Sequence, residues 1–275
     1  MRVVRFIPGF IEQNKEEQAK YRWQTLGVLL ALFAVAATAN LPHARAVKTL
    51  AYQAGETDAL ILSPILESII FTAGIGLVLG TVFIWIGLWL SARANLGAPL
   101  LVRWLSGIAL SNLVERKVVI TSILLGGLVG ALMLVQLELQ ESILPMGEAK
   151  FHHPSALPNL FAAFSAGVTE EIMFRLGLVS LVVALLQFLT KTETPSNLIV
   201  WSGILVVGLV FGLTHLPVAG TYYELTPVVV GTIVMGNVVT GTAFGWVFWR
   251  YGLIMAMLAH FSFDVVFHVL GSPFG

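Results

Sequence analysis

A few side chains in this 275-residue chain combine ionisable chemistry with positions inside apolar sequence. Three stand in Thr169-Glu170-Glu171-Ile172-Met173-Phe174-Arg175. Glu171 and Arg175 are four residues apart, acid first, so on a helix they face each other and can form an ion pair. Glu170 lies about 100° round the same helix, and Arg175 cannot serve both carboxylates in full. Glu170 is therefore the acid without an obvious local partner, placed to act as a general base. His215 closes the apolar segment Phe211-Gly212-Leu213-Thr214-His215. His260 and Asp264 share a helix face at i, i+4, and a carboxylate beside an imidazole can fix its tautomer and hold it in place. His268 continues that face one turn later, near the expected membrane edge, and reads as structural.

Each charge near a bilayer centre costs roughly 2.5–3.5 kcal/mol on insertion scales, so such groups turn inward to pair or to line a wet cavity. A packing role stays open for each of them: a buried ion-pair network, a histidine at a helix end, a hydrogen-bonded pair between helices. Convergence of groups from three separate spans on one site is the natural inference. A glutamate with two histidines can activate water for hydrolysis. Zinc ligation is the alternative, but there is no HExxH motif and the three groups are far apart in sequence. No metal or other cofactor is expected.

The elements that must position these groups are membrane spans. The chain is 57% hydrophobic and 11% charged, with a mean hydropathy of +0.89, against about 45–50% apolar and about 25% charged in soluble domains. Long unbroken apolar runs predict helices rather than a β-barrel. The fold class expected is all-α: a polytopic transmembrane helix bundle of about seven spans plus one interfacial or re-entrant helix. Fifteen basic residues balance fifteen acidic ones, which argues against nucleic acid as a partner. The absence of cysteine removes disulfides, thiolate metal sites and a cysteine nucleophile.

Residues 1–22 read as a cytoplasmic tail, with an uncleaved anchor after it, and 23–275 as a single membrane domain whose motif-bearing core is 157–270. Spans are expected at 23–41, 65–90, 118–137, 157–189, 197–214, 227–249 and 253–270. Residues 42–57 and 138–158 read as links, and 92–117 as an amphipathic helix on the cytoplasmic face. Gly76 with Gly80, and Gly126 with Gly130, are spaced for close helix approach. Basic residues concentrate in the tail, in 93–117 and at Lys191 and Arg250, which predicts a cytoplasmic N-terminus. That topology puts His215 near the outer face and Glu170 and His260 nearer mid-membrane.

Glu170-Glu171 with Arg175 gives EExxxR, Phe211 with His215 gives FxxxH, and His260 with Asp264 gives HxxxD. In this order, on successive apolar segments over 157–270, they resemble the CPBP family of intramembrane endopeptidases (CAAX proteases and bacteriocin-processing enzymes, also called Abi). The resemblance implies a glutamate protease in which Glu170 and His215 activate a water, and His260 with residue 264 stabilises the oxyanion. Glu171 and Arg175 would support the site. Asp264 is a departure, since the best-known eukaryotic and archaeal CAAX proteases carry Asn there, while Asp is also met among bacterial relatives. An ionised Asp cannot donate to an oxyanion, so it must be protonated or must orient His260.

The function expected is hydrolysis of a peptide bond in a membrane-associated or lipidated protein or peptide, by a protein integral to a bacterial inner membrane. Its partners are then membrane lipids and that substrate. The alternative is a non-catalytic membrane scaffold or bacteriocin-immunity-type protein that uses the cluster for packing. A proton-coupled transporter is a third reading, with less support because no internal repeat is visible.

Overall fold

The computed structural model describes residues 9, 11, 14–55, 66, 74, 78–109, 112–143 and 149–271. Among them every regular element is helical. The helices are α1 (Lys15–Lys20), α2 (Arg22–Ala39), α3 (Leu41–Gln53), α4 (Gly80–Ser91), α5 (Pro99–Leu105), α6 (Arg116–Ile143) and α7 (Ala156–Glu170). After a π-helical segment, Glu171–Val179, come α8 (Ser180–Thr190), α9 (Asn197–Thr214), α10 (Leu216–Tyr222), α11 (Pro227–Tyr251) and α12 (Leu253–Asp264). A second π segment, Val265–Leu270, ends the described fold.

Six helical stretches are long and apolar enough to cross a membrane: Arg22–Gln53, Arg116–Leu139, Ala156–Thr190, Asn197–Tyr222, Pro227–Tyr251 and Leu253–Leu270. The shorter α4 adds an apolar helix within the span expected at 65–90, of which residues 65, 67–73 and 75–77 lie outside the described residues. Local chemistry sets the boundaries. Ser196 and Thr226 cap α9 and α11 by accepting from the amides of Ile199 and Val229, each at 3.3 Å. Pro227 follows its cap at the first turn, where a missing N–H costs nothing.

Three boundaries differ from the sequence expectation. The link at 42–57 is helical as far as Gln53, because Pro42 sits in the first turn of α3 rather than ending a helix. The loop expected from 138 is helical to Ile143. The amphipathic helix expected over 92–117 shrinks to α5, and it is docked rather than surface-lying. Its Pro99, Leu100, Leu101 and Val102 are buried, while Trp104 is exposed. The reason is the turn between α11 and α12. Gly252 has φ 83°, and a Cβ there would overlap the Pro99 ring; the next amide, Leu253 N–H, donates to the carbonyl of Gly97 at 2.9 Å. Side chains are excluded from that turn, so α5 can close over it.

Asn237 and its neighbouring threonines do not interrupt α11. Asn237 Nδ2 donates back to the Ile233 carbonyl at 2.8 Å, and Thr240 Oγ1 to the Asn237 carbonyl at 3.2 Å, so the polar groups are absorbed by the helix itself. The glycine pair on α6 meets α12 closely. A Cβ at Gly126 would overlap the Ala259 carbonyl oxygen, and one at Gly130 would lie 2.9 Å from the Phe263 carbonyl. Gly80 faces the Phe33 ring of α2, while its expected partner Gly76 lies outside the described residues. One buried apolar cluster runs from Leu29 on α2 to Phe263 on α12.

The up-and-down order sorts charge between the two ends of the bundle. Arg22, Arg93, Arg116, Lys117, Lys191 and Arg250 lie at or just beyond helix ends on one side, while Arg45, Lys48 and Lys150 lie towards the other.

Candidate active site

Glu170 is the last residue of α7 and Glu171 the first of the π segment. A π segment is uncommon and costs regular hydrogen bonding; here Ser180 Oγ donates to the Arg175 carbonyl at 3.5 Å within the irregular stretch. The two neighbouring glutamates have opposite surroundings. The Glu170 side chain is 28% exposed, whereas that of Glu171 is fully buried.

Arg175 Nη1 lies 3.1 Å from Glu171 Oε1, as the spacing predicts. That contact is an ion pair without hydrogen-bond alignment, since Nη1 has no aligned acceptor. Nη2 donates to the Gly241 carbonyl of α11 at 3.4 Å. The guanidinium also sits 4.7 Å from the Phe211 ring centroid and 5.4 Å from that of Phe244. A buried cation is thus held by one carboxylate, one carbonyl and two aromatic faces, the last worth about 0.5–2 kcal/mol each.

Glu171 does more than neutralise Arg175. Its Oε1 accepts from His260 Nδ1 at 2.8 Å, across 89 residues of sequence. His260 is itself buried and stacked on Phe244, with ring centroids 4.6 Å apart and an interplanar angle of 21°. With Nδ1 bonded and one ring face stacked on Phe244, Nε2 points at 3.5 Å towards Asp264 Oδ2 and at 3.9 Å towards Glu170 Oε2.

His215 caps the C-terminus of α9. Its Nδ1 lies 2.7 Å from the Phe211 carbonyl. A carbonyl can only accept, so Nδ1 carries a hydrogen and the neutral ring presents a bare Nε2. That nitrogen lies 4.0 Å from Glu170 Oε2. The six residues singled out in the sequence, Glu170, Glu171, Arg175, His215, His260 and Asp264, therefore form one continuous cluster built from the α7–π junction, α9 and α12.

His268 stands at the cluster's edge, half exposed and 3.9 Å from Asp264 Oδ1. Its carbonyl accepts from Asn159 Nδ2 at 2.9 Å, and Asn159 Oδ1 contacts His43 Nδ1 at 3.0 Å, tying the second π segment to α7 and α3. Nearby, His153 stacks on Tyr222 at 4.3 Å. Burial, with a smaller contribution from the imidazoles of His43 and His152, holds its pKa below the usual 6.5. Sequence reasoning did not assign roles to Phe244, Asn159 or His43. Nothing in their spacing marks them, because each acts across helices. Phe211 was visible through FxxxH, but as a flank of His215 rather than as a lid over Arg175.

Among the described residues, no group of three His, Asp or Glu side chains has an arrangement suited to holding a metal ion.

Residues 153–266 match the family model described as Type II CAAX prenyl endopeptidase Rce1-like, in agreement with the resemblance carried by the three motifs. The matched segment contains all six clustered residues. No curated protein and no solved structure matches the chain.

Proposed function

We propose that this chain, which joins the CAAX protease family through residues 153–266, is a glutamate endopeptidase that cleaves a membrane-associated or lipidated protein or peptide. The observation that carries the reading is the position of Glu170 Oε2, 4.0 Å from His215 Nε2 and 3.9 Å from His260 Nε2. Both gaps are too long for a direct hydrogen bond. They suit one water held between the groups. Glu170 is also the partly exposed carboxylate of the pair, so a substrate can approach it.

In this mechanism Glu170 and the bare Nε2 of His215 accept the two hydrogens of that water and aim its oxygen at a peptide carbonyl. Glu170 takes the proton as the C–O bond forms. His260, protonated at both nitrogens, keeps Nδ1–H on Glu171 and offers Nε2–H to the developing oxyanion. Asp264 is the second group at that oxygen, donating when protonated or else orienting His260. Donors aimed in advance at developing charge are worth about 10²–10³-fold each. Glu170 then returns the proton to the departing amine. Glu171 and Arg175 act through His260, as positioning residues. The scheme uses no resident metal.

The basic end of the bundle belongs in the cytoplasm under the positive-inside rule, with the protein in a bacterial inner membrane. His215 then lies about 27 Å along α9 from that end, at 1.5 Å per residue, so the substrate reaches the site from the opposite half of the bilayer.

The test is cleavage of membrane-peptide substrates by purified protein, with Glu170→Ala and His215→Ala alongside. Both variants are expected to lose at least a hundredfold in turnover while wild type resists chelators. Undiminished activity in either variant would remove it from the mechanism, and loss of wild-type activity to a chelator would replace the scheme with a metal-dependent one.

A further inference from the structure

On the far side of the π segment from the catalytic cluster, α4 and α8 enclose a groove of about 470 Å³. Its walls are Trp85, Ile86, Trp89 and Leu90 of α4 with Leu181 of α8, and Arg93 closes its basic end. From Trp85 to Arg93 is about 12 Å along the helix axis. Trp85 and Trp89 are 49% and 38% exposed, and exposed indoles near a basic helix end suit the headgroup–acyl boundary.

The second cation comes from α2. The Arg22 guanidinium carbon lies 3.8 Å from the Trp89 ring centroid, so it sits on the indole face. Its Nε is buried without a hydrogen-bond partner. Among the described residues, neither Arg22 nor Arg93 meets a carboxylate. One guanidinium thus lies on an indole face and a second lines the same apolar groove, with no carboxylate among the described residues to balance them. Guanidinium forks suit phosphate oxygens.

We propose that this groove binds an anionic phospholipid of the basic-side leaflet. The headgroup phosphate lies between Arg22 and Arg93, and one acyl chain runs along Trp85, Ile86 and Leu181. Charge complementarity selects the anionic lipid, since a zwitterionic headgroup brings its own cation to a site that already holds two. The wall helix α4 packs directly on the π segment, where a Cβ at Gly87 would lie 2.6 Å from the Leu176 carbonyl. The lipid therefore braces the helix against which Glu171 and Arg175 are held, but the proposal stands whether or not the chain is a protease.

The experiment uses the full chain in phosphatidylcholine vesicles containing, at equal mole fraction, either phosphatidylglycerol or phosphatidylcholine with brominated chains. Bromine quenches tryptophan on contact. The signal from the groove is the part lost in Trp85→Phe/Trp89→Phe, which removes it from that of the remaining tryptophans. Each basic residue near the membrane surface favours an anionic lipid by roughly fivefold, so the groove is expected to prefer phosphatidylglycerol by about 25-fold. Arg22→Gln/Arg93→Gln should bring that ratio to about one. Arg93→Gln alone, in an exposed position, should lower it about fivefold and guards against loss of fold in the double variant. Equal quenching by the two lipids in wild type, or a preference unchanged by Arg93→Gln, overturns the proposal.

Discussion

Glu170 and Glu171 are neighbours in sequence, and replacing each with Gln should separate catalysis from folding. Glu171 is fully buried, 2.8 Å from His260 Nδ1 and 3.1 Å from Arg175 Nη1. Glu171→Gln leaves the Arg175 guanidinium, 1% exposed, without the carboxylate that faces it. Removing one partner of a buried ion pair typically costs about 3–5 kcal/mol. The amide oxygen can still accept from His260, which retains about 1 kcal/mol. The expected destabilisation is therefore about 2–4 kcal/mol. Glu170 is 28% exposed, and its nearest charged neighbours stand at 3.9 and 4.0 Å, beyond hydrogen bonding. Glu170→Gln should change stability by no more than about 0.5 kcal/mol, as at other partly exposed positions without a tight partner. Its turnover should nevertheless fall by at least about a hundredfold, the scale on which a general base contributes. The assays are unfolding in matched micelles and cleavage rate at saturating substrate. Glu170→Gln unfolding as readily as Glu171→Gln would mean that both glutamates are structural. Glu171→Gln as stable as wild type would mean that the aromatic faces and the Gly241 carbonyl suffice to hold Arg175.

Three further substitutions or conditions probe the supporting geometry. Asp264→Asn keeps the side chain's shape and supplies a permanent donor, so turnover should stay within about tenfold, while Asp264→Leu should lose about 10²–10³. Equal losses in both would show that a negative charge beside His260 is what matters. Gly126→Ala drives a methyl group into the Ala259 carbonyl next to His260, and should cost about 1–3 kcal/mol in thermal unfolding; an unchanged melting curve would contradict the close approach of α6 and α12. His153 has its folded pKa held below the unfolded value of 6.5. The unfolded form then binds more protons as pH drops below 6.5, so the stability it contributes is present above 6.5 and lost as pH falls towards its folded pKa. Hydrogen-exchange protection of the Lys150 amide, which donates to the Tyr222 carbonyl at 2.8 Å beside the His153 stack, should drop over that interval after correction for intrinsic exchange. Constant protection would remove His153 from the packing of that end.

The site was more legible in the sequence than the structure that supports it, and the physical reason is range. Helical periodicity reports neighbours three and four residues apart, so it exposed Glu171 with Arg175 and His260 with Asp264. The cost of burying charge in a membrane then argued that these pairs and His215 converge, and they do so within 4.0 Å. The same reasoning made Glu171 and Arg175 a self-contained pair. They are not one, because Glu171 also holds His260 by a bond that spans 89 residues. No local pattern encodes such a contact. Nor does Glu-Ile-Met-Phe-Arg announce a π segment: its side chains suit an α-helix equally well, and the segment packs against α4, where Gly87 lets two backbones meet, a contact that no local pattern reports. Proline misled in the opposite direction. Pro42 and Pro217 read as helix ends, yet both occupy first turns of helices that continue the preceding span after a break of one residue. Proline forbids a hydrogen bond at one nitrogen, and whether that nitrogen ends a helix or begins one depends on the turn before it, where Asn40 and His215 remain in the right-handed helical region. His215 is the consequential case: by keeping that conformation it sits at the junction of α9 and α10 rather than at the head of a loop, and its ring is fixed on the Phe211 carbonyl of its own helix at the depth of Glu170.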